Sequence, residues 1–202
     1  MTAAKEAGDL IGETVVLPSG ELTLLRPSEG AELPDDREVE WAPLVPYWSV
    51  LWRSGLALAR ELDGTRLAGR RVLELGCGLG VPSLVASRAG AAVLATDAGE
   101  EPLELLELNA ARNRLTLETA RADWAAPGEL VARGPFDLVL AADVLYERAS
   151  VGHLLDLLPR LGPRALVADP GRPAADAFLG AACRRWPVKT KASGVVHIHA
   201  LG

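Results

Sequence analysis

The chain has few of the residues that mark disulfide-rich, membrane or exported proteins. Its 202 residues include only two cysteines, Cys77 and Cys183, which are too few for a disulfide framework. We therefore expect reduced thiols and a cytoplasmic location. No apolar run approaches the ~18–20 residues of a membrane span, so we expect no membrane partner. The first residues lack the apolar core of a secretory signal.

Clusters of basic residues are also scarce. The largest is the pair Arg184 and Arg185, and no aromatic stacking pattern accompanies it. The formal net charge is −6, which argues against nucleic acid as the main partner. Only three histidines occur, and His197 and His199 share one face of a predicted strand. Partly exposed strand histidines are more common than metal ligands at this spacing, so we expect no metal site.

The remaining composition is that of a single globular domain. Of its residues 49% are hydrophobic and 24% are charged, and the chain is long enough to bury its own core. From residue 70 onward apolar strands alternate with helical stretches, which predicts a Rossmann-like, doubly wound α/β sheet. Seven mostly parallel strands with an antiparallel last strand are predicted, at 71–75, 92–96, 118–121, 136–141, 165–169, 188–191 and 195–201. The predicted helices are 81–89, 100–113, 150–161 and 174–186.

Residues 1–69 have a different pattern and are predicted to form an extension packed on the core of residues 70–202, in one globular unit. A β-hairpin is expected over 14–25, followed by an acidic, proline-containing surface loop at 29–40. A tryptophan-rich segment then leads into a helix ending near Leu62. The tryptophans concerned are Trp41, Trp48 and Trp52. They either pack the extension onto the domain, or they cover a ligand and wall its pocket.

The most informative feature is a glycine-rich turn after the first strand of the core. Gly76, Gly78 and Gly80 alternate there, and a helical pattern follows. Asp97 ends the next predicted strand, about twenty residues further on, where a carboxylate can accept hydrogen bonds from both hydroxyls of a ribose. This strand–turn–helix unit predicts a site for a nucleoside-bearing cofactor.

The spacing in this turn favours S-adenosylmethionine over a dinucleotide. The dinucleotide motif requires a glycine where this chain has Val81. An acid, Glu74, precedes the glycines and suits the ammonium and sulfonium charges of S-adenosylmethionine. The acid-x-Gly-x-Gly-x-Gly order resembles the first motif of class I (seven-strand) methyltransferases. A dinucleotide site, or a glycine turn with no ligand, is the alternative.

Further candidate residues follow the later strands, whose carboxyl ends hold ligands in open α/β sheets. Asp123 can accept from the adenine amine while Trp124 lies against the base; alternatively they are a loop acid and a core tryptophan. Asp143 and Tyr146 can orient the amine of a lysine, which must lose a proton from a group of pKa ~10.4 before it can accept a methyl group. Alternatively, Asp143 only caps the following turn.

A stiff turn follows the fifth predicted strand of the core. Its sequence is Asp169-Pro170-Gly171-Arg172-Pro173, and the two prolines and the glycine make the turn stiff. The two side chains either face the substrate, which we favour, or pair with each other. Trp48 is a further candidate for the substrate side.

Together these motifs resemble methyltransferase family 16, a class I group rich in protein-lysine methyltransferases. The resemblance spans roughly residues 46–201 and is carried by Trp52, residues 74–80, Asp97, residues 105–109 and residues 143–146. Within that group, residues 46–55 and 169–173 are most similar to the electron-transfer flavoprotein β-subunit lysine methyltransferases. The resemblance implies that Asp143 and Tyr146 position a substrate lysine. The cofactor contacts that it and the motifs predict are Trp52, Glu74, Gly76, Cys77, Gly78, Gly80, Asp97, Ala98, Asp123, Trp124 and Ala142.

Three functions remain in competition. The leading one is methylation of lysine on a protein substrate, with S-adenosylmethionine consumed, S-adenosylhomocysteine produced and no metal required. The second is a small-molecule N- or O-methyltransferase on the same fold. The third is a non-catalytic S-adenosylmethionine-binding protein, which the presence of both Asp143 and Tyr146 disfavours.

Overall fold

The computed structural model describes residues 10–28 and 47–202, so the predicted acidic loop and Trp41 lie outside the described residues. The strands are β1 (Leu10–Leu17), β2 (Gly20–Pro27), β3 (Arg71–Leu75), β4 (Ala92–Asp97), β5 (Glu118–Arg121), β6 (Leu138–Ala142), β7 (Ala165–Asp169), β8 (Val188–Ser193) and β9 (Val196–Leu201). The helices are α1 (Arg53–Leu62), α2 (Val81–Arg88), α3 (Glu101–Arg112), α4 (Gly128–Ala132), α5 (Arg148–Leu161) and α6 (Pro173–Ala182). A short 3-10 helix, Tyr47–Ser49, precedes α1. In these two ranges no helix is both long and apolar enough to span a membrane.

The main sheet confirms the predicted doubly wound fold. Its seven strands lie in the order β5-β4-β3-β6-β7-β9-β8. The strands from β3 to β7 pair in parallel, and β9 is antiparallel to both of its neighbours. The chain builds outward from β3 to β5 and then returns to place β6 on the other side of β3. This reversal creates a crevice at the carboxyl ends of β3 and β6, the usual ligand site in such sheets.

Two hydrophobic clusters cover the two faces of this sheet. Successive side chains of β3 point to opposite faces of the sheet. Val72 therefore belongs to one cluster, whereas Leu73 and Leu75 belong to the other. The first cluster joins the β1–β2 hairpin, α1, α2 and α3 to the sheet. The second cluster packs α4, α5 and α6 against the opposite face. The N-terminal hairpin and α1 therefore share a core with the sheet.

Two asparagines fasten the hairpin to α3. The side-chain amide of Asn109 accepts from the backbone N–H of Leu25 at 2.6 Å and donates to its carbonyl oxygen at 3.0 Å. One helical turn further on, Asn113 makes the same pair of bonds with Thr23, at 3.0 and 2.8 Å. The two amides thus take the place of a neighbouring strand along the edge of β2, whose backbone groups would otherwise lack partners.

Several predicted boundaries were wrong. β6 begins at Leu138, not at Phe136, because the N–H of Phe136 donates to the carbonyl oxygen of Leu161 outside the sheet. α6 ends at Ala182, four residues earlier than predicted. The hairpin strands are longer than expected. The short helix α4 was not predicted, because five residues carry too little periodicity to recognise.

We expect Asn109→Ala to lower the free energy of unfolding by about 2–3 kcal/mol, because it leaves two backbone groups of Leu25 without partners. Urea denaturation would measure the change. Leu108→Ala is the matched control, since Leu108 is 55% exposed on the same helix and should change stability by less than about 0.5 kcal/mol. Equal effects of the two substitutions would contradict the proposed role of the amide.

Candidate active site

A cavity of about 1130 Å³ lies at the carboxyl ends of the strands. It is lined by residues that follow β3, β4, β5, β6 and β7, together with the segment that leads into α1. Small-molecule sites usually occupy about 300–1,000 Å³, so the cavity has room for more than one ligand group. All the predicted site residues line it except Asp169.

Two glycines in the turn after β3 have left-handed backbone and little room for a side chain. Gly78 has a φ of +49°, and a Cβ there would lie 3.0 Å from the carbonyl oxygen of Trp48. Its N–H donates to Asp97 Oδ2 at 3.0 Å, which ties the turn to the end of β4. Gly80 has a φ of +64°, and a Cβ there would lie 2.5 Å from Leu106 Cδ1. The turn is therefore pressed between the N-terminal segment and α3.

Glu74 lines the cavity from inside the sheet, and it also holds the start of α2. Its Oε2 accepts from the N–H and the hydroxyl of Ser83, at 2.9 and 2.5 Å. Burial raises the pKa of Glu74 to about 8, with Ser83 opposing the rise and the charge of Asp97 adding to it. At neutral pH this carboxyl is mostly protonated in the structure. The negative charge that we expected of Glu74 is therefore largely suppressed.

The half of the cavity beside β4 and β5 carries the other predicted cofactor contacts. Asp97 accepts a second bond from the N–H of Gly99 at 3.3 Å, and Asp123, which is exposed, accepts from Ala125 at 2.8 Å. The ring of Trp124 lies beside the glycine turn, 3.6 Å from where a Cβ of Gly76 would stand. The remaining predicted contacts that line the cavity are Cys77, Ala98 and Ala142. Burial raises the pKa of the Cys77 thiol well above its usual value, so it stays a thiol.

Asp143 occupies the end of β6 with a left-handed backbone, at a φ of +58°. Its side chain is 9% exposed. Oδ1 accepts from Arg172 Nη1 at 2.5 Å, and Oδ2 accepts from the N–H of Ser54 at 3.3 Å. Burial raises the pKa of Asp143, while Arg172 and Ser54 oppose the rise. These bonds to Arg172 and Ser54 give Asp143 partners outside the turn after β6, which the capping alternative did not anticipate.

The expectation that Asp169 faces the substrate was wrong. Asp169 is fully buried, and its Oδ1 accepts from the N–H groups of Gly171 and Arg172, each at 2.7 Å. Its Oδ2 lies 3.2 Å from Arg172 Nη1, so the second alternative, pairing with Arg172, describes the structure. The hydrogen bonds of the tight turn pull the carboxylate inward, while Arg172 itself does line the cavity.

The segment before α1 forms one wall of the cavity. Trp48 and Trp52 both line it, as the second interpretation of the tryptophans expected. The indole N–H of Trp52 donates to the carbonyl oxygen of Tyr47 at 2.9 Å. The guanidinium of Arg172 lies 6.0 Å from the centre of the Trp52 ring, at the outer limit of a cation–π contact. Arg172 thus bridges β7 and the N-terminal segment.

Tyr146 lies at the rim, where it is 59% exposed. Partial burial raises the pKa of its phenol, and Glu147 and Asp97 add to the rise, so the hydroxyl keeps its proton at neutral pH. The backbone donor Ser54 was missed by sequence reasoning, as were residues of α5 and α6. The only sequence feature that could have indicated these residues of α5 and α6 is that they follow closely after β6 and β7. Those that line the cavity are Arg148, Ser150, Val151, His153, Pro173, Ala174 and Ala177.

The histidines of β9 differ from expectation in one respect. His197 is exposed, but His199 is buried, and its Nδ1 lies 2.9 Å from the hydroxyl of Thr190. Within residues 10–28 and 47–202, no three His, Cys, Asp or Glu side chains group as a metal site would require.

The sheet order, the glycine turn at the strand reversal and Asp97 together define the class I methyltransferase fold. The 16S rRNA N2 G1207 methyltransferase of T. thermophilus has this fold, with a TM-score of 0.68 at 16% identity over 100% of this chain and 52% of that one. The chain belongs to the lysine methyltransferase family, whose family model matches residues 48–168.

Two relatives illustrate the family. The electron transfer flavoprotein beta subunit lysine methyltransferase of Xenopus laevis is 35% identical over 136 residues, which cover 63% of this chain and 53% of the relative. The protein N-lysine methyltransferase METTL21A of Danio rerio is 32% identical over 120 residues, covering 56% and 55% of the two chains. The chain thus spans about half the length of the curated relatives it matches.

The pKa of Glu74 leads to a prediction about stability and pH. The folded protein holds this proton up to about pH 8, whereas the unfolded chain loses it near the ordinary glutamate pKa of 4.5. The stability that the proton provides is therefore complete below pH 4.5 and is lost as the pH rises through 8. Between these limits, we expect the unfolding free energy of the wild type to fall by up to about 5 kcal/mol more than that of Glu74→Gln. Urea denaturation at several pH values measures both slopes, and parallel slopes would contradict the raised pKa.

Proposed function

We propose that the protein is an S-adenosylmethionine-dependent N-methyltransferase that modifies lysine on a protein substrate. The observation that carries the proposal is the carboxylate of Asp143, which Arg172 and Ser54 hold against the cavity close to the glycine turn. The family of lysine methyltransferases and the names of the relatives support a lysine acceptor. A cytoplasmic location remains a prediction from the two free cysteines.

The residues around the glycine turn suit S-adenosylmethionine. Gly76 and Gly78 line the cavity, a Cβ at either position would lie 3.0 Å from Val144 or from the Trp48 carbonyl oxygen, and Trp124 offers an aromatic face beside them. Each oxygen of Asp97 makes one backbone hydrogen bond and retains acceptor capacity for ribose hydroxyls. The exposed carboxylate of Asp123 suits the adenine amine. When bound, S-adenosylmethionine supplies an electrophilic methyl group that a neutral amine accepts as the carbon–sulfur bond breaks.

The protein's own part in the reaction is to orient the amine and to let it lose a proton. Asp143 can accept a hydrogen bond from the lysine nitrogen, and Tyr146, which stays a phenol, can donate or accept at the rim. Exposure of Tyr146 leaves water close by to take the proton that the ammonium must lose. An amine that enters the cavity beside Trp48 and Trp52 loses part of its hydration, which disfavours the charged ammonium and so increases the share of neutral amine.

A protein acceptor fits the rim better than a small enclosed molecule does. Within the described part of the chain, Tyr146, Glu147 and Arg148 are all exposed along this rim. A small-molecule methyltransferase would instead favour a closed, aromatic-lined pocket. Methylation of a small molecule is the alternative outcome of the labelling experiment described next.

The purified protein should be incubated with tritiated S-adenosylmethionine and a bacterial lysate, and the products separated by gel and by small-molecule chromatography. We expect a discrete labelled protein band whose label mass spectrometry places on lysine. Gly78→Arg is the negative control, because its side chain would enter the space beside Trp48. Label confined to small molecules would move the enzyme to the second class. No label in either fraction, with cofactor binding seen by calorimetry, would favour a non-catalytic binding protein.

A crossed pair of variants separates the two halves of the site. Asparagine tolerates the left-handed backbone of Asp143, and its oxygen can still accept from Ser54, so Asp143→Asn should keep the fold. We expect this variant to lower methyl transfer about 100-fold while the cofactor Kd stays within about threefold.

Asp123→Asn should behave in the opposite way. Loss of one charge-assisted hydrogen bond should raise the cofactor Kd about tenfold and leave turnover at saturating cofactor nearly unchanged. Calorimetry measures the Kd and tritium transfer measures the turnover. The same pattern of loss in both variants would contradict the assignment of separate roles.

A further inference from the structure

The hydroxyl of Ser54, in the first turn of α1, is buried without a hydrogen bond. Ser54 is 1% exposed, and within the described residues its Oγ has no partner at hydrogen-bonding geometry. Buried polar groups in folded proteins almost always have a partner, because an unpaired one destabilises the fold. A serine in this position therefore calls for a use of its hydroxyl that the unoccupied hydrogen bond does not yet show.

The hydroxyl lies beside Asp143. The backbone N–H of Ser54 donates to Asp143 Oδ2 at 3.3 Å. Burial raises the pKa of Asp143, and the Ser54 side chain is among the groups that oppose the rise, so it faces the same carboxylate. Trp52 and Gly55 line the cavity, whereas Ser54 does not. The hydroxyl thus reaches Asp143 from the body of α1 and not from the cavity.

The carboxylate of Asp143 has acceptor capacity left for this hydroxyl. A carboxylate offers about four lone-pair positions. Within the described residues, Oδ1 accepts from Arg172 Nη1 and Oδ2 accepts from the N–H of Ser54. The same Nη1 also lies 3.2 Å from Asp169, so one guanidinium serves two carboxylates. Asp143 can therefore accept from a substrate amine and from the Ser54 hydroxyl together.

The hydroxyl is the part of this contact that depends on the amino-acid sequence. α1 has no side-chain cap at Trp52, and Asp143 accepts from its first turn instead. Any residue except proline at position 54 would supply the N–H for that bond. Alanine would do so without burying a polar group. The serine side chain is thus not needed to start the helix, which leaves Asp143 as the group on which it acts.

We propose that Ser54 is a positioning residue whose hydroxyl donates to Asp143 while this carboxylate accepts a hydrogen bond from the substrate amine. An approaching amine competes with Arg172 and with the Ser54 N–H for the same two oxygens. A further donor on the buried side keeps the carboxylate charged and in one orientation, which the transfer step requires. This inference rests on the proposed function and adds a residue that acts only through Asp143.

Ser54→Ala tests the role directly, because it removes the hydroxyl and keeps the backbone N–H. We expect methyl transfer to the lysate protein to fall on the order of tenfold at neutral pH, as for the loss of one hydrogen bond to a charged group. The calorimetric Kd for S-adenosylmethionine should stay close to that of the wild type. Ser54→Thr and Ser54→Val are a matched pair of nearly equal bulk, and the threonine variant, which keeps a hydroxyl, should transfer faster.

The dependence on pH separates this role from a merely structural one. The hydroxyl favours the charged form of Asp143, so its removal should raise the pKa of Asp143 further. The charges that face Asp143 are those of Arg172 and Asp169, and Ser54→Ala changes neither. The ratio of wild-type to Ser54→Ala transfer should therefore be largest at acidic pH and fall as the pH rises. A ratio that is the same at every pH would overturn the inference.

A double-mutant cycle shows whether Ser54 acts through Asp143. In the Asp143→Asn background, Ser54→Ala should cause little further loss of transfer, because the charge that the hydroxyl supports is already absent. A full second loss, or equal transfer by Ser54→Thr and Ser54→Val, would contradict the proposed role.

Urea denaturation of the same variants measures the contact without catalysis. We expect the combined loss of unfolding free energy in the double variant to differ from the sum of the single losses, since the two side chains interact. If the wild type labels no protein, the proposed function fails. The unfolding cycle then still decides whether the hydroxyl binds Asp143, and strictly additive losses would show that it does not.

Discussion

The site depends on one nearly buried carboxylate, that of Asp143. Its two oxygens are held by Arg172 from the end of β7 and by the backbone N–H of Ser54 at the start of α1. Three separate parts of the chain therefore meet at this side chain. Removing one partner from such a buried pair costs about 3–5 kcal/mol, because the remaining charge is left without compensation.

The same interaction explains why the N-terminal extension belongs to the active site. α1 begins where Asp143 binds Ser54, and the segment before it places Trp48 against the glycine turn and Trp52 beside Arg172. From the other side, the amides of Asn109 and Asn113 hold the hairpin on α3. The N-terminal extension, whose sequence pattern differs from that of the core, is thus attached to the methyltransferase core at two points. Its residues, although distant in sequence, form one wall of the cavity.

Much of the fold could be predicted, because it follows from local patterns. Runs of apolar residues predicted the strands of the core, their alternation with helices and the antiparallel last strand. The structure contains all of these features. The glycine turn was recognisable because left-handed backbone at Gly78 and Gly80 admits few other residues. The failure to predict α4 has a physical cause, because its 5 residues are far fewer than the roughly 11–18 in which helical periodicity can be recognised.

By itself, the sequence determined the class of fold, the family motifs and the chemical type of the candidate residues, since backbone conformation and apolar periodicity are local properties. Only the tertiary structure decided how those residues are used. In the folded protein, Asp169 is buried away from the cavity and pairs with Arg172. Glu74 is also buried, which raises its pKa so that it keeps a proton at neutral pH. The burial of a side chain, its pairing with another charge and the cavity beside it all depend on neighbours that are distant in sequence. These neighbours come together only when the chain folds.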